Sequence, residues 1–555
     1  MVENRGIDLF LQHLIARGVP FLTGNPGSTE SPLLDRIQAY PQLDYILTLH
    51  ETVAVGISEA YALATGQVGV VNLHAAPGLG NALGMMYNAL IGCSPLLVTA
   101  GQQDTRMRLR HPLLAHDLAA MAAPVTRWSV EAQSADELPL LLHRAFQTAL
   151  GPPAGPVFVG LPIDVLEQES KQRLVEPPHN FTRTAPDPEG IEEAARRLLA
   201  AREPVVVFGD EVVRSVAQVE LVALVEFLGA PVWGTLLSLG VGFPMTHPQY
   251  RGELPDNHRA IRECLGGADV VLLVGGDFFR EVFYSPDNPW PEGAALIQLE
   301  AIPSQLSRNS SAQLGIASDL RITLQQVLGA LSSRADERYR ADSQARRARS
   351  EQLHARQTAE RAKELQEVWD CRPMHPARFV SALREALPKG TIVVSEALSA
   401  ELEVMGHLDL GAPGDFFGSR GGGIGQGLPG GVGVKLAHPD RPVIVLSGDG
   451  SALYTIQTLW TAAHSRLPVL FVILNNRSYR ILKQNMGRFR DFFGVSGSGG
   501  YPFMDLTDPN IDFVALAAGF GVPGQRIDTP EQVEPALAAA LATGGPYLLD
   551  VILEG

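Results

Sequence analysis

The segment Ser447-Gly448-Asp449-Gly450-Ser451 lies between two uninterrupted apolar runs, residues 443–446 and 468–474, with a helical stretch from about Ala452 to His464 in between. Short runs rich in Val, Ile and Leu and bounded by turn residues read as strands buried on both faces of a parallel sheet. Strand, helix and strand then make one βαβ unit. The second strand ends in Asn475-Asn476. Ligands of open parallel sheets sit beyond the carboxyl ends of the strands. Asp449 and Asn476 are therefore expected at one edge, one strand apart.

That pair has a chemistry. An Asp carboxylate, an Asn amide oxygen and a backbone carbonyl from the following turn are hard oxygen donors suited to magnesium. The glycines flanking Asp449 let backbone N–H groups approach phosphate oxygens, and a helix starting near Ser451 favours negative charge. Gly-Asp-Gly alone also marks an ordinary strand-to-helix turn. The spacing to Asn475-Asn476 across one βαβ unit makes it a metal and phosphate candidate.

The rest of the chain repeats the same alternation. Residues 1–170 carry strand signals at 18–23, 45–49, 68–73, 95–99 and 156–160, with an apolar helix from Glu51 to Thr65 closed by Gly66. Residues 165–190 are polar and Pro-rich, a linker. A second block, 190–335, has strands at 204–208, 230–233, 269–274 and 295–299, and residues 335–368 read as an exposed helical connector. The third block, 372–555, has strands at 391–394, 442–446, 468–474 and 547–551. The expected fold is α/β, with three doubly wound parallel-sheet domains over 1–170, 190–335 and 372–555.

A chain of 555 residues with 45% hydrophobic and 19% charged residues is long enough for several cores. Its net charge of -16 argues against a nucleic-acid partner. No apolar run reaches the roughly 18 residues that a membrane span needs, and the N-terminus lacks a signal-peptide pattern. Cys93, Cys264 and Cys371 form neither a metal motif nor a disulfide framework, which fits a reducing, cytoplasmic setting.

Gly448-Asp449-Gly450 followed by Asn475-Asn476 resembles the signature of thiamine diphosphate (ThDP)-dependent enzymes, whose pyrimidine-binding, middle and diphosphate-binding domains match the three blocks in order. The resemblance implies ThDP and magnesium as cofactors. Asp449, Asn476 and the carbonyl of Ser478 would bind the metal, and Gly450 and Ser451 the diphosphate. Ser399 and Tyr479 would also contact the cofactor. In Arg420-Gly421-Gly422-Gly423-Ile424, Ile424 would be the apolar support that folds the cofactor's two rings together, and the Gly422 carbonyl would accept from its exocyclic amine. Glu51 would be the acid that activates the pyrimidine ring, although a carboxylate at a helix start can also serve the helix dipole alone.

Within that family the likeness is to the benzoylformate decarboxylase branch. It rests on Gly24-Asn25-Pro26-Gly27-Ser28-Thr29-Glu30, Asn72-Leu73-His74 with Gly80-Asn81, Thr99-Ala100-Gly101-Gln102-Gln103 and Leu459-Trp460-Thr461-Ala462-Ala463. It implies that Ser28 binds the substrate carboxylate and that His74 moves protons. Read singly, Ser28 is also a plausible turn residue and His74 a structural histidine. One position departs from the branch: Phe279-Arg280-Glu281-Val282 puts Val282 where a second active-site histidine belongs. Glu401, Ile481 and Asn485 also differ at pocket positions. The middle block offers Phe208-Gly209-Asp210 and Val274-Gly275-Gly276 without a full glycine fingerprint, so no flavin is expected. The implied activity is non-oxidative decarboxylation of a 2-keto acid through an enamine intermediate. The alternative is a carboligase of the acetolactate synthase type. The implied assembly is a homodimer or homotetramer with active sites between subunits.

Overall fold

The computed structural model describes residues 4–555 except 277, 279, 280, 498 and 499. Its strands, in chain order, are β1 (Asn4–Arg5), β2 (Phe21–Gly24), β3 (Asp44–Leu47), β4 (Gly69–Leu73), β5 (Leu96–Gln102), β6 (Trp128–Glu131), β7 (Pro156–Pro162) and β8 (Glu169–Ser170). The middle of the chain adds β9 (Pro204–Phe208), β10 (Val232–Gly234), β11 (Tyr250–Glu253), β12 (Val270–Val274), β13 (Ala295–Glu300) and β14 (Leu314–Ala317). The last third adds β15 (Ile392–Glu396), β16 (Phe416–Phe417), β17 (Val443–Gly448), β18 (Val469–Asn475), β19 (Gly524–Ile527) and β20 (Tyr547–Ile552).

Three six-stranded sheets result, ordered β3-β2-β4-β5-β7-β6, β11-β10-β9-β12-β13-β14 and β16-β15-β17-β18-β20-β19. Every pairing within them is parallel. The fold is thus three α/β domains, as the alternation of runs implies. The first and third sheets share one strand permutation, and the middle sheet has the other common doubly wound order. The Pro-rich stretch is not all linker: β8 pairs antiparallel with β1 and ties the chain start to the end of the first domain. The connector is a helix, Glu337–Glu367.

Buried Val, Ile, Leu and Phe side chains fill both faces of each sheet. Clusters also cross domains: Val241 of the middle domain joins the core of the third, and Leu436 packs on Phe21, Ile46 and Tyr61 of the first. Val53, Ile57 and Ala60 of the helix Glu51–Thr65 share a core with Leu428, Val432 and Val434 of the helix Gly427–Ala437. Glycine makes the approach possible: a Cβ on Gly433 would lie 2.1 Å from the Ile57 carbonyl oxygen.

The segment after β17 departs from the expected single helix. Helix begins at Asp449 rather than near Ala452, stops at Ala452, and resumes over Thr458–His464. Buried Thr455 lies in the break and donates from Oγ1 to the Gly425 carbonyl at 2.8 Å. A side chain drawn toward that loop replaces continued helix.

Candidate active site

In the first and third sheets the strand order reverses between β2 and β4 and between β15 and β17, which opens a crevice at each carboxyl edge. The residues singled out by sequence lie at these two edges.

At the third sheet, Asp449 is buried at the end of β17. Its Oδ1 accepts from the Gly450 N–H at 2.8 Å. Its Oδ2 has no hydrogen-bond partner, nor does the buried Oγ of Ser451. Burial pushes the Asp449 carboxyl up to about 6, against the pull of the Gly450, Arg477, Ser478 and Asn476 N–H groups. Asn476 follows β18; its Oδ1 accepts from the Ser478 N–H at 3.0 Å and its Nδ2 reaches Ser399 Oγ at 3.4 Å. Tyr479 lies against Gly450, where a Cβ would come within 2.4 Å of the ring. Asp449, Gly450, Ser451, Asn476, Ser478, Tyr479 and Ser399 therefore form one cluster. Orphaned oxygens on buried groups call for a cation or a hydrogen-bonding ligand. This donor set fits a hard metal ion and a phosphate. Asn475 has another task, donating to Asp550 Oδ1 at 2.8 Å inside the sheet.

The glycine loop lies beside this cluster. Gly422 has φ +79° and is exposed, and Ile424 is half-buried. Glu396, at the end of β15, accepts from the N–H groups of Gly425, Gln426 and Gly427 at 2.8, 3.1 and 2.9 Å. Burial raises this carboxyl to about 7, and the three donors oppose the rise. Sequence reasoning passed over Glu396. Its one signal is an acid at the end of an otherwise apolar strand.

At the first sheet, Glu51 opens its helix and is buried. Its two oxygens accept from Asn25 Nδ2 at 3.3 Å and Asn81 Nδ2 at 3.0 Å. Gly78 closes over it, since a Cβ there would lie 3.1 Å from Oε1. His74 follows β4, and its Nδ1 lies 2.8 Å from Oε2 of Glu30. Glu30 is 1% exposed and also accepts from the N–H groups of Gly27 at 2.8 Å and Gly101 at 2.9 Å. A Cβ on Gly27 would lie 2.3 Å from the imidazole, so the glycine is what admits the ring. Ser28 is exposed on the same turn. Glu30, which in the sequence is only part of a motif, thus holds His74 together with Thr29, whose Oγ1 lies 3.1 Å from Nδ1. Left-handed backbone at Ala75, Leu398 and Arg477 turns the chain sharply beside His74, Ser399 and Asn476, and strain of this kind gathers at functional sites.

Of the departures, Phe279 and Arg280 lie outside the described residues. Val282 is exposed, and Glu281 is engaged, its Oε1 2.5 Å from His258 Nε2. Glu401 accepts from Ser395 Oγ at 2.6 Å and burial raises its carboxyl. Ile481 and Asn485 lie on the helix Arg480–Phe493, which buries no residue within this chain. Among the described residues, no hydrogen bond or ion pair joins the Glu51–His74 group to the Asp449–Asn476 group.

Residues 4–121, 191–327 and 400–551 match, in that order, the N-terminal TPP binding domain, the central domain and the C-terminal TPP binding domain of thiamine pyrophosphate enzymes. The chain belongs to the thiamine pyrophosphate enzyme family. This thiamine pyrophosphate enzyme is 34% identical to benzoylformate decarboxylase of Pseudomonas aeruginosa, over 99% of this chain and 98% of that one. It is 30% identical to the acetolactate synthase isozyme 3 large subunit of Escherichia coli, over 97% and 92%. The solved structure of a thiamine diphosphate-dependent 4-hydroxybenzoylformate decarboxylase from Rhodococcus jostii RHA1 superposes with a TM-score of 0.85 at 32% identity, covering 99% of both chains.

Proposed function

We propose that this thiamine pyrophosphate enzyme is a ThDP- and magnesium-dependent carboxy-lyase that releases CO2 and an aldehyde from a 2-keto acid. The observation that carries the metal half of the reading is the pair of orphaned buried oxygens, Asp449 Oδ2 and Ser451 Oγ, beside Asn476. Asp449, Asn476 and the Ser478 carbonyl would hold magnesium. Gly450, Ser451, Ser399 and Tyr479 would hold the diphosphate, and Gly422, Ile424 and Glu51 the pyrimidine end. When bound, ThDP supplies a nucleophilic carbon for the keto group and an electron sink for the bond to the departing carboxylate. The protein supplies the rest. Glu51, kept in place by Asn25 and Asn81, would hold a carboxyl proton for exchange with the pyrimidine ring. Ser28 donates to the substrate carboxylate. With Nδ1 held by Glu30, His74 presents Nε2 for taking and returning a proton.

In the homodimer or homotetramer that this reading implies, Glu51 of one copy would meet Asp449 of another. Three free cysteines fit a cytoplasmic location. Among the described residues no helix is long and apolar enough to cross a membrane.

The test is a thermal-shift titration with ThDP and magnesium together, followed by CO2 release across aromatic, aliphatic and acidic 2-keto acids. A ligand that binds only the folded state raises the midpoint. An unmoved midpoint overturns the cofactor; a shift without CO2 from any 2-keto acid overturns the reaction. Val282, which carries no proton to give, and Glu281, engaged with His258, favour a second reading, carboligation, in which carbon–carbon bond formation takes the place of that protonation. Adding an aldehyde acceptor and finding a hydroxyketone in place of the aldehyde product would select it.

A further inference from the structure

The loop from Arg420 to Gly427 is fastened by side chains from all three domains. From the first domain, Asn88 on the helix Ala75–Ile91 pairs with the Gly423 backbone in both directions, donating to its carbonyl at 2.7 Å and accepting from its N–H at 3.0 Å. A Cβ on Gly421 would lie 2.1 Å from Asn88 Oδ1, so the loop needs glycine there to meet this side chain. The third domain contributes Glu396 and Thr455, as described. The middle domain contributes Asp210, just past β9. Arg420 Nε pairs with Asp210 Oδ2, and both side chains are 2% exposed. Arg420 Nη1 also donates to the carbonyls of Leu236 and Leu237 at 2.7 and 3.0 Å. Asp210 Oδ1 in turn accepts from the Leu239 N–H at 2.9 Å.

The same middle-domain segment reaches the opposite side of the loop's contact. Arg214, four residues after Asp210, is fixed by Glu211 at 2.7 Å and donates to the Gly92 carbonyl at 3.1 Å. Gly92 caps the helix that carries Asn88 one turn earlier. The carboxyl edge of a doubly wound sheet is where a ligand ordinarily binds. Here the turns after β9 and β12 press together, a Cβ on Gly209 lying 2.5 Å from the Gly275 carbonyl oxygen, and the Asp210 carboxylate there receives a cation from the neighbouring domain.

A buried ion pair adds little net stability over apolar packing of the same shape, although removing one partner is strongly destabilising. Its direction, however, is fixed by geometry on both sides. Arg420 is two residues from Gly422 and four from Ile424. We propose that Asp210 and Arg420 are positioning residues. Through them the middle domain sets where Gly422 and Ile424 stand, and so how tightly and in what ring geometry ThDP is held. This rests on the ThDP reading above.

The experiment titrates ThDP at saturating magnesium into wild type, Arg420→Lys and Arg420→Met, well below each thermal midpoint. Tryptophan fluorescence gives the Kd and near-ultraviolet circular dichroism reports the bound pyrimidine. A charge-balanced double variant, Asp210→Asn with Arg420→Met, covers the case in which Arg420→Met alone does not fold. The expected result is at least tenfold weaker ThDP binding and an altered dichroic band in the Met variants, with Arg420→Lys recovering most of both. A purely structural role would lower the thermal midpoint of the cofactor-free protein and leave Kd and the band unchanged, which would overturn the proposal alone. A wild type that shows no saturable ThDP binding would overturn the cofactor reading and this proposal with it.

Discussion

The contact between His74 and Glu30 decides what the imidazole can do. A carboxylate on Nδ1 fixes which nitrogen carries the proton and how the ring is oriented. Gln at position 30 keeps the shape and removes the charge. Glu30→Gln is expected to lower kcat by about 10- to 100-fold, less than the full contribution of a general acid-base group, while leaving KM little changed. A loss of activity that follows a lowered thermal midpoint, with kcat of the folded protein unchanged, would mean that Glu30 only braces the turn. Little of this was legible in the sequence. Asp449, Asn476, Glu51 and His74 declare themselves because each stands at the end of a readable strand. Glu30 and Glu396 act through turns, where the carboxylate's partners are backbone N–H groups that no residue letter encodes. Val282 shows the opposite case, a letter whose meaning depends on neighbours, Phe279 and Arg280, outside the described residues.

At the scale of elements, apolar runs located the central strands to within a few residues, since a strand buried on both faces has no polar alternation to confuse the reading. The edge strands β6, β11, β14, β16 and β19 were missed because they are short or half-exposed, and β8 because its two residues belong to a ribbon formed with the far end of the domain. The helix pair Glu51–Thr65 and Gly427–Ala437 yields a prediction whose sign depends on magnitudes. Replacing a helical glycine by alanine ordinarily stabilises by up to about 1 kcal/mol. At Gly433 the new Cβ would meet the Ile57 carbonyl oxygen at 2.1 Å, and a backbone atom cannot swing aside. Forcing a packed contact apart costs about 1 to 3 kcal/mol, so the clash outweighs the propensity. Gly433→Ala is expected to lower the urea midpoint of the cofactor-free protein. Gly329, which has open space around its Cβ position in the helix Leu320–Arg334, serves as the reference: Gly329→Ala should leave the midpoint unchanged or raise it.

For the whole molecule, the sequence conveyed three domains in order but not the way they meet, because the residues that meet, apolar and polar alike, lie far apart in the chain. Buried carboxyls predict how stability responds to pH. Burial raises the carboxyls of Glu59 to about 8 and of Glu253, Glu300 and Glu396 to about 7. Each is deprotonated in the unfolded chain above roughly pH 4.5 and still protonated in the folded one, so each contributes stability at low pH that is lost as pH rises through its folded value. His13 works the other way. Burial lowers it to about 3, so its contribution is present above about 6.5 and fades as pH falls from there toward 3. The raised carboxyls, with Asp449, Glu401 and Asp550 also among them, outnumber the lowered imidazoles of His13, His354 and His438, and the thermal midpoint of the cofactor-free protein is expected to fall between pH 5 and pH 8. Glu59 isolates the cause. It is 2% exposed on the helix that packs against the third domain, and the Gln426 side chain and Ser94 Oγ, the latter at only 3.4 Å, oppose the effect of burial without overcoming it. Glu59→Gln removes the titration at nearly constant shape, and should raise stability at pH 8 by about 1 to 3 kcal/mol while changing it little at pH 5. Denaturant unfolding of both proteins at the two pH values measures this directly. Equal pH dependence in wild type and variant would show that Glu59 ionises in the folded state as freely as in the unfolded chain.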